Sequence, residues 1–191
     1  MIGSEGAGED LPRAYLAGPE VFLPRPVALS VGQAKKDLCL RYGFTGVFPL
    51  DDAPDLNGLS PGEIGLAIFD HSIALLDSSQ VAVANLTPFR GVSMDVGTAV
   101  EMGYMFGLGR PVFGYTNDAD DYKVRVASLG GGGEGNDVED FGFVDNLMCE
   151  GPPRRSGVPV VRQTSSKEHA MTDLRAFEEC LAQAAKVIAA G

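Results

Sequence analysis

Apolar residues arrive along this chain in two rhythms, and their alternation predicts the order of elements. Short unbroken runs bounded by Gly, Pro or Asp read as buried strands, whereas apolar positions three or four apart read as helices. Ala14 to Ala17, closed by Gly18-Pro19, is the first strand. From Pro26 to Tyr42, Val27, Leu29, Val31, Ala34 and Leu38 recur at roughly helical spacing, with Pro26 suited to a first turn and Gly43 to a C-terminal cap. Phe44 to Leu50 is a second strand, halted by Pro49 and the pair Asp51-Asp52. Ser60 and Glu63 have the spacing of a capping box, and the helix they open runs to about Leu76. Gln80 to Leu86 (QVAVANL) is the clearest buried strand. A loop, TPFRGVSMD, leads to a helix from about Val96 to Leu108 capped by Gly109, and Arg110-Pro111 starts a fourth strand, PVFGYT.

After Tyr115 the pattern dissolves. Asn117 to Asp121 reads as an acidic turn, Gly130 to Gly133 with Glu134-Gly135 as a flexible tract, and 117–157 as a Gly-rich loop region. A short strand at Val158 to Val161 follows. A helix from about Lys167 to Ala190 then carries Leu174, Phe177, Leu181, Ala184, Val187 and Ile188 along one face. Residues 1–12, small, Gly-rich and acidic, read as a disordered leader, which leaves 13–191 as one domain. Near-continuously apolar strands alternating with helices predict an α/β fold. Its core is a doubly wound, mostly parallel sheet of the Rossmann/flavodoxin-like kind, flanked by helices.

Charge narrows the partners. Across 191 residues there are 15 Lys+Arg against 26 Asp+Glu, a formal charge of -11. Such a surface repels phosphate backbones and anionic lipid, so neither a nucleic acid polymer nor a membrane is expected as a partner. No apolar run approaches the roughly 18 residues a span needs. The N-terminus lacks the basic end and apolar stretch of a signal peptide. Cys39, Cys149 and Cys180 are odd in number and far apart, which excludes a disulfide framework and a CxxC site and suits a cytoplasmic protein. His71 and His169 show no paired ligand spacing, so no metal is expected. The first strand-to-helix turn, LAGPEVFLP, lacks the G-x-G-x-x-G of a dinucleotide site.

In open α/β sheets ligands bind beyond the carboxyl ends of the strands. Three such ends carry polar or aromatic groups: Tyr15 to Phe22, Asp51-Asp52, and Asn85 through Glu101. Asp95 fits a helix N-cap as well as it fits a site. Glu101 is harder to dismiss, because its neighbours are Val100, Met102, Tyr104, Met105 and Phe106. An unpaired carboxylate there costs several kcal/mol or titrates upward, so it faces solvent, meets a donor or lines a site. Gly97, four residues earlier on the same helical face, leaves room for a small ligand near the positive end of the helix dipole. That arrangement suits a nucleophilic carboxylate meeting an electron-poor carbon, as in retaining glycoside hydrolysis.

Five blocks together resemble the nucleoside 2-deoxyribosyltransferase family: Tyr15 to Phe22 (YLAGPEVF), Phe48 to Asp51 (FPLD), Asn85 to Gly91 (NLTPFRG), Asp95 to Tyr104 (DVGTAVEMGY) and Asp145 to Met148 (DNLM). The resemblance implies Glu101 as the nucleophile on C1′ of the deoxyribose and Tyr15 as the phenol that orients it and keeps it ionised. It implies Asp95 as acceptor of the sugar hydroxyls and Asn146 as a residue lent by the adjacent subunit, hence a homo-oligomer. The base would lie against Phe22 and the Asp51-Asp52 turn, and Gly18, Gln80, Asn85 and Gly97 complete the expected substrate-binding set. Deoxynucleosides and free nucleobases are the implied substrates, and no cofactor is required.

One departure stands out. Where these enzymes usually carry an aspartate for the base, this chain has Gln80, which cannot donate a proton as a carboxylic acid would. Asp77, Asp51 and water remain as proton sources. Two other readings stay open: an N-glycoside hydrolase of deoxynucleosides or nucleoside 5′-monophosphates, and a non-catalytic nucleotide-binding module. Against 5′-monophosphates, a carboxylate at Asp95 repels a phosphate where it would accept from a hydroxyl.

Overall fold

The computed structural model describes residues 11–130 and 137–190, so all but the end of the expected leader and most of the glycine tract lie outside the described residues. Five strands, β1 (Arg13–Ala17), β2 (Thr45–Val47), β3 (Val81–Asn85), β4 (Val112–Thr116) and β5 (Val161–Arg162), form one sheet in the order β2-β1-β3-β4-β5. Every pairing is parallel, with Tyr15 opposite Val47 on one side and Ala82 on the other. Burial on both faces is what permits strands as uniformly apolar as VAVAN.

Among the described residues six α-helices flank the sheet: α1 (Arg25–Arg41), α2 (Pro61–Asp77), α3 (Val96–Gly107), α4 (Tyr122–Ser128), α5 (Leu147–Arg155) and α6 (Arg175–Ala190). One core joins Leu16, Val83, Phe113 and Tyr115 of the strands to Leu38 of α1 and Phe177 of α6. The other joins Tyr15, Ala82 and Ala84 to Leu76 of α2 and Met102 and Met105 of α3. Local signals set the start of α2: the Ser60 amide donates to Glu63 Oε2 at 2.8 Å, and the Glu63 amide returns to Ser60 Oγ at 3.5 Å. Gly43, just past α1, takes a left-handed φ of 81°, as a helix stop requires. Among the described residues no helix is long and apolar enough to cross a membrane.

Several boundaries differ from the sequence reading. The second strand keeps only three of seven expected residues. The chain turns at once, with the Asp51 amide donating to Phe48 O and the Phe48 amide to Asp51 Oδ2, both at 2.9 Å. VPVV shrinks to Val161–Arg162 because Pro159 has no amide for the ladder, although Val158 and Val160 remain buried. The last helix starts at Arg175, not Lys167, after the Asp173 carboxylate has taken the Arg175 amide at 3.1 Å.

The region read as a Gly-rich loop, 117–157, contains α4 and α5 among its described residues. Pro152 and Pro153 mark a breaker in the sequence, but in α5 they are buried. Gly114 of β4 makes space for Pro153, since a Cβ there would lie 3.2 Å from Pro153 Cγ. Tertiary contact thus holds a helix that local propensity argues against.

Candidate active site

The sheet reverses its winding between β1 and β3: one connection leaves toward β2, the other toward β4. The crevice beside such a reversal is where a doubly wound sheet accepts ligands. β1 supplies Tyr15, fully buried, on the face covered by α2 and α3. α3 supplies Glu101. Its first turn is fixed by Asp95, whose Oδ2 accepts the Thr98 amide at 3.0 Å and the Thr98 hydroxyl at 3.3 Å. These bonds leave Oδ1, on a half-buried side chain, without a hydrogen bond to the described residues.

The Tyr15 hydroxyl donates to Glu101 Oε1 at 2.6 Å, across 86 residues of sequence. Burial pushes the Glu101 carboxyl up to about 7; the Tyr15 bond opposes that rise, while the negative charges of Asp95 and Glu20 add to it. The Tyr15 phenol is itself pushed up, by burial first and then by Glu101, so it stays a neutral donor. The phenol therefore orients the carboxylate, but burial outweighs its ionising effect. Glu101 passes between acid and base near neutrality, and no cation among the described residues forms an ion pair with it.

Around this pair the expected residues divide. Gly18 follows β1 with no room for a side chain, since a Cβ there would collide with Glu20 Oε2 and lie 3.0 Å from Asn85 Cβ. Gly97 is exposed, and a Cβ there would meet only Asp95 Oδ2, at 3.0 Å. Phe22 stacks on Phe89 at 5.3 Å, and the Arg90 guanidinium lies over both rings at 4.8 and 4.6 Å. Arg90 holds a left-handed φ of 58°, a conformation a side-chain-bearing residue rarely takes, in the loop that delivers Asp95.

Other expected residues have structural partners. Asn85 is buried, donating to Glu20 Oε1 at 2.9 Å and accepting the Thr87 amide at 2.9 Å, so both ends of its amide are used. Gln80 lies at the amino end of β3 with Oε1 on the Arg13 amide at 2.8 Å. Asp77 takes the Tyr104 hydroxyl at 2.6 Å, and Asp51 takes Lys36 at 2.7 Å and the Phe48 amide. None of these three makes a hydrogen bond to Tyr15 or Glu101. Asn146 caps α5, accepting the Met148 amide at 2.9 Å and donating to Glu139 at 2.7 Å, and makes no hydrogen bond to Glu101 of its own chain.

Sequence reading missed the network beneath the crevice. Glu20 and Lys35, 1% and 0% exposed, form an ion pair; the same Glu20 oxygen takes Asn85 and the Tyr115 hydroxyl, the latter at 3.0 Å. Lys35 also lies over the rings of Tyr115 and Phe177 at 5.4 and 5.1 Å. The signal was a lysine between Val31 and Leu38 on the apolar stripe of the first helix, with an acid in the preceding turn.

A family model described as nucleoside 2-deoxyribosyltransferase matches residues 14–148. An uncharacterized protein of Schizosaccharomyces pombe is 34% identical over 187 residues, covering 86% of this chain and 88% of its own. A structure described as a 2-desoxiribosyltransferase from Leishmania mexicana superposes with a TM-score of 0.59 at 26% identity, covering 88% of this chain and 97% of that one. The match takes in β1 through the start of α5, and with it Tyr15, Asp95, Glu101 and Asn146: the chain belongs to the nucleoside 2-deoxyribosyltransferase family.

Proposed function

We propose that this protein transfers 2-deoxyribose between nucleobases through a covalent ester on Glu101. The carrying observation is the 2.6 Å bond from Tyr15 to Glu101 Oε1, which fixes one carboxylate oxygen and leaves Oε2 to react. In the first half, Oε2 forms a bond to C1′ as the C1′–N bond breaks. The electron pair leaves with the base, which takes a proton from water. In the second half, a nitrogen of another base attacks C1′, the ester bond breaks, the carboxylate returns and the incoming base releases its N–H proton to solvent. Two inversions give retention, and ping-pong kinetics follow. Water in place of the second base gives slow hydrolysis.

Asp95, with Oδ1 free, is the acceptor for a sugar hydroxyl, and its charge disfavours a phosphate at that position. Deoxynucleosides are therefore the substrates and their 5′-monophosphates poor ones. Phe22, stacked on Phe89 under Arg90, is the platform for the base.

Assembly belongs to this reading. α2 buries only Leu76, while Leu66 and Phe69 are 66% and 57% exposed; Val96 and Val100 of α3 are 78% and 64% exposed. Apolar helix faces of this size call for a second copy. Met148, 74% exposed and beside Asn146, supports a role for that end of α5 in a neighbour's site.

Incubating the protein with a deoxynucleoside and a different free base tests the proposal. A new nucleoside is expected; free sugar alone would mark a hydrolase, and ligand binding without turnover a binding module.

A further inference from the structure

Two loops that the catalytic reading assigns to different sites are tied together inside one subunit. Asp95 follows the loop 86–94 and serves its own subunit's Glu101; Asn146, in the reading above, serves the neighbour's. Arg125 of α4, 7% exposed, joins the segments that carry them. Its Nε donates to Val92 O at 2.9 Å, its Nη2 to Val144 O, and its Nη1 to Asp120 O at 2.7 Å.

A second tie runs beside the first. The carboxylate of Asp145, 1% exposed, accepts the Ser93 hydroxyl on one oxygen and the Met94 amide at 2.7 Å on the other; it also takes the Asn146 amide at 2.8 Å. Residues 92–94 and 144–146 are thus held together by a guanidinium and a carboxylate. Apart from the contact to Asp120, each bond ends within three residues of Asp95 or two of Asn146. The planar fork spreads its donors over three nitrogens and so spans carbonyls of three separate segments, which the single nitrogen of a lysine would have to gather at one point.

We propose that Arg125 and Asp145 are positioning residues forming a clasp that sets Asp95 for the subunit's own site and Asn146 for the neighbour's. Loss of the clasp then damages two sites at once. This rests on the reading of Asp95 and Asn146 above, and subunit mixing separates the two ideas. In oligomers co-expressed from differently tagged Glu101→Ala and Asn146→Ala chains, hybrid sites regain activity if Asn146 is lent across the interface.

Arg125→Met should restore nothing in either pairing. With Glu101→Ala, every site holding Glu101 has a displaced Asp95; with Asn146→Ala, every site with an intact Asp95 receives a displaced Asn146. Rescue in either pairing overturns that arm of the clasp. If Glu101→Ala and Asn146→Ala fail to rescue each other, the lending of Asn146 is wrong, and amide exchange still decides the clasp. In Arg125→Met, and in Asp145→Asn should Arg125→Met not fold, exchange at 91–95 and 144–148 should accelerate together by about 10-fold while the sheet is unchanged. Acceleration confined to one segment, or none, overturns the proposal.

Discussion

The two faces of the sheet bury charge in opposite ways. Toward α1 and α6, Glu20 meets Lys35, Asn85 and Tyr115, and the ammonium lies against two aromatic rings. Toward α2 and α3, Glu101 meets one phenol, and the nearby charges of Asp95 and Glu20 are of its own sign. A buried carboxylate with its counter-ion is an element of structure. One with only a neutral donor has its charge under-compensated, which leaves it reactive toward a carbon that develops positive charge.

The widest test of this contrast is removal of each acid in turn. Glu101→Ala should abolish base exchange, by on the order of 10⁴-fold or more, if the proposed ester forms on this side chain. Its circular dichroism and melting should stay those of a folded protein. Residual exchange near parent rates would show that Glu101 is merely another buried acid. The opposite pattern belongs to Lys35. Lys35→Met strands a buried carboxylate and should cost about 3–5 kcal/mol in urea unfolding. Glu20→Gln in the same chain should recover part of that loss; an additive pair would mean the ion pair carries no coupling.

How much of this the sequence disclosed follows from the range of the forces involved. α2 and α3 were legible because their caps are local: Ser60 with Glu63, and Asp95 with Thr98, act within one turn. Tyr15 and Glu101 were legible because the apolar setting of Glu101 and the family blocks pointed at the same residues. α4 and α5 were not, since their stability comes from Arg125 reaching Val92 and Val144 and from Pro153 packed on Gly114. Asn85 was assigned to substrate because it ends a strand, yet its amide is consumed by Glu20 and Thr87. Gln80 is likewise spent on the Arg13 backbone. A partner distant in sequence leaves no periodicity to read.

A smaller effect separates reactivity from stability at the same residue. The Glu101 carboxyl is raised from 4.5 to about 7, so the folded state binds the extra proton. Its contribution is fully present below 4.5 and is lost as pH rises through about 7, because above that the charge must be buried. Glu101→Gln, neutral throughout, should therefore be more stable than the parent by about 3 kcal/mol at pH 8.5, with little advantage at pH 4.5. Denaturant midpoints at the two pH values check this. An equal difference at both would mean that the ionised carboxylate is not strained in the fold.

The smallest shift concerns the single bond that distinguishes Glu101 from an abandoned acid. The Tyr15 hydroxyl stabilises the charged form, so it lowers a carboxyl that burial has raised. The parent should gain activity as pH rises through about 7, the reactive species being the carboxylate. In Tyr15→Phe the opposing contribution is gone, and that rising limb should move to higher pH by about one unit, with the plateau rate reduced about 10-fold from lost orientation. The displaced limb is the informative part, since a merely loosened site would lower the plateau and leave the limb where it was. A limb moving to lower pH would reverse the electrostatic sign assigned to Tyr15 and with it the contrast between the two faces.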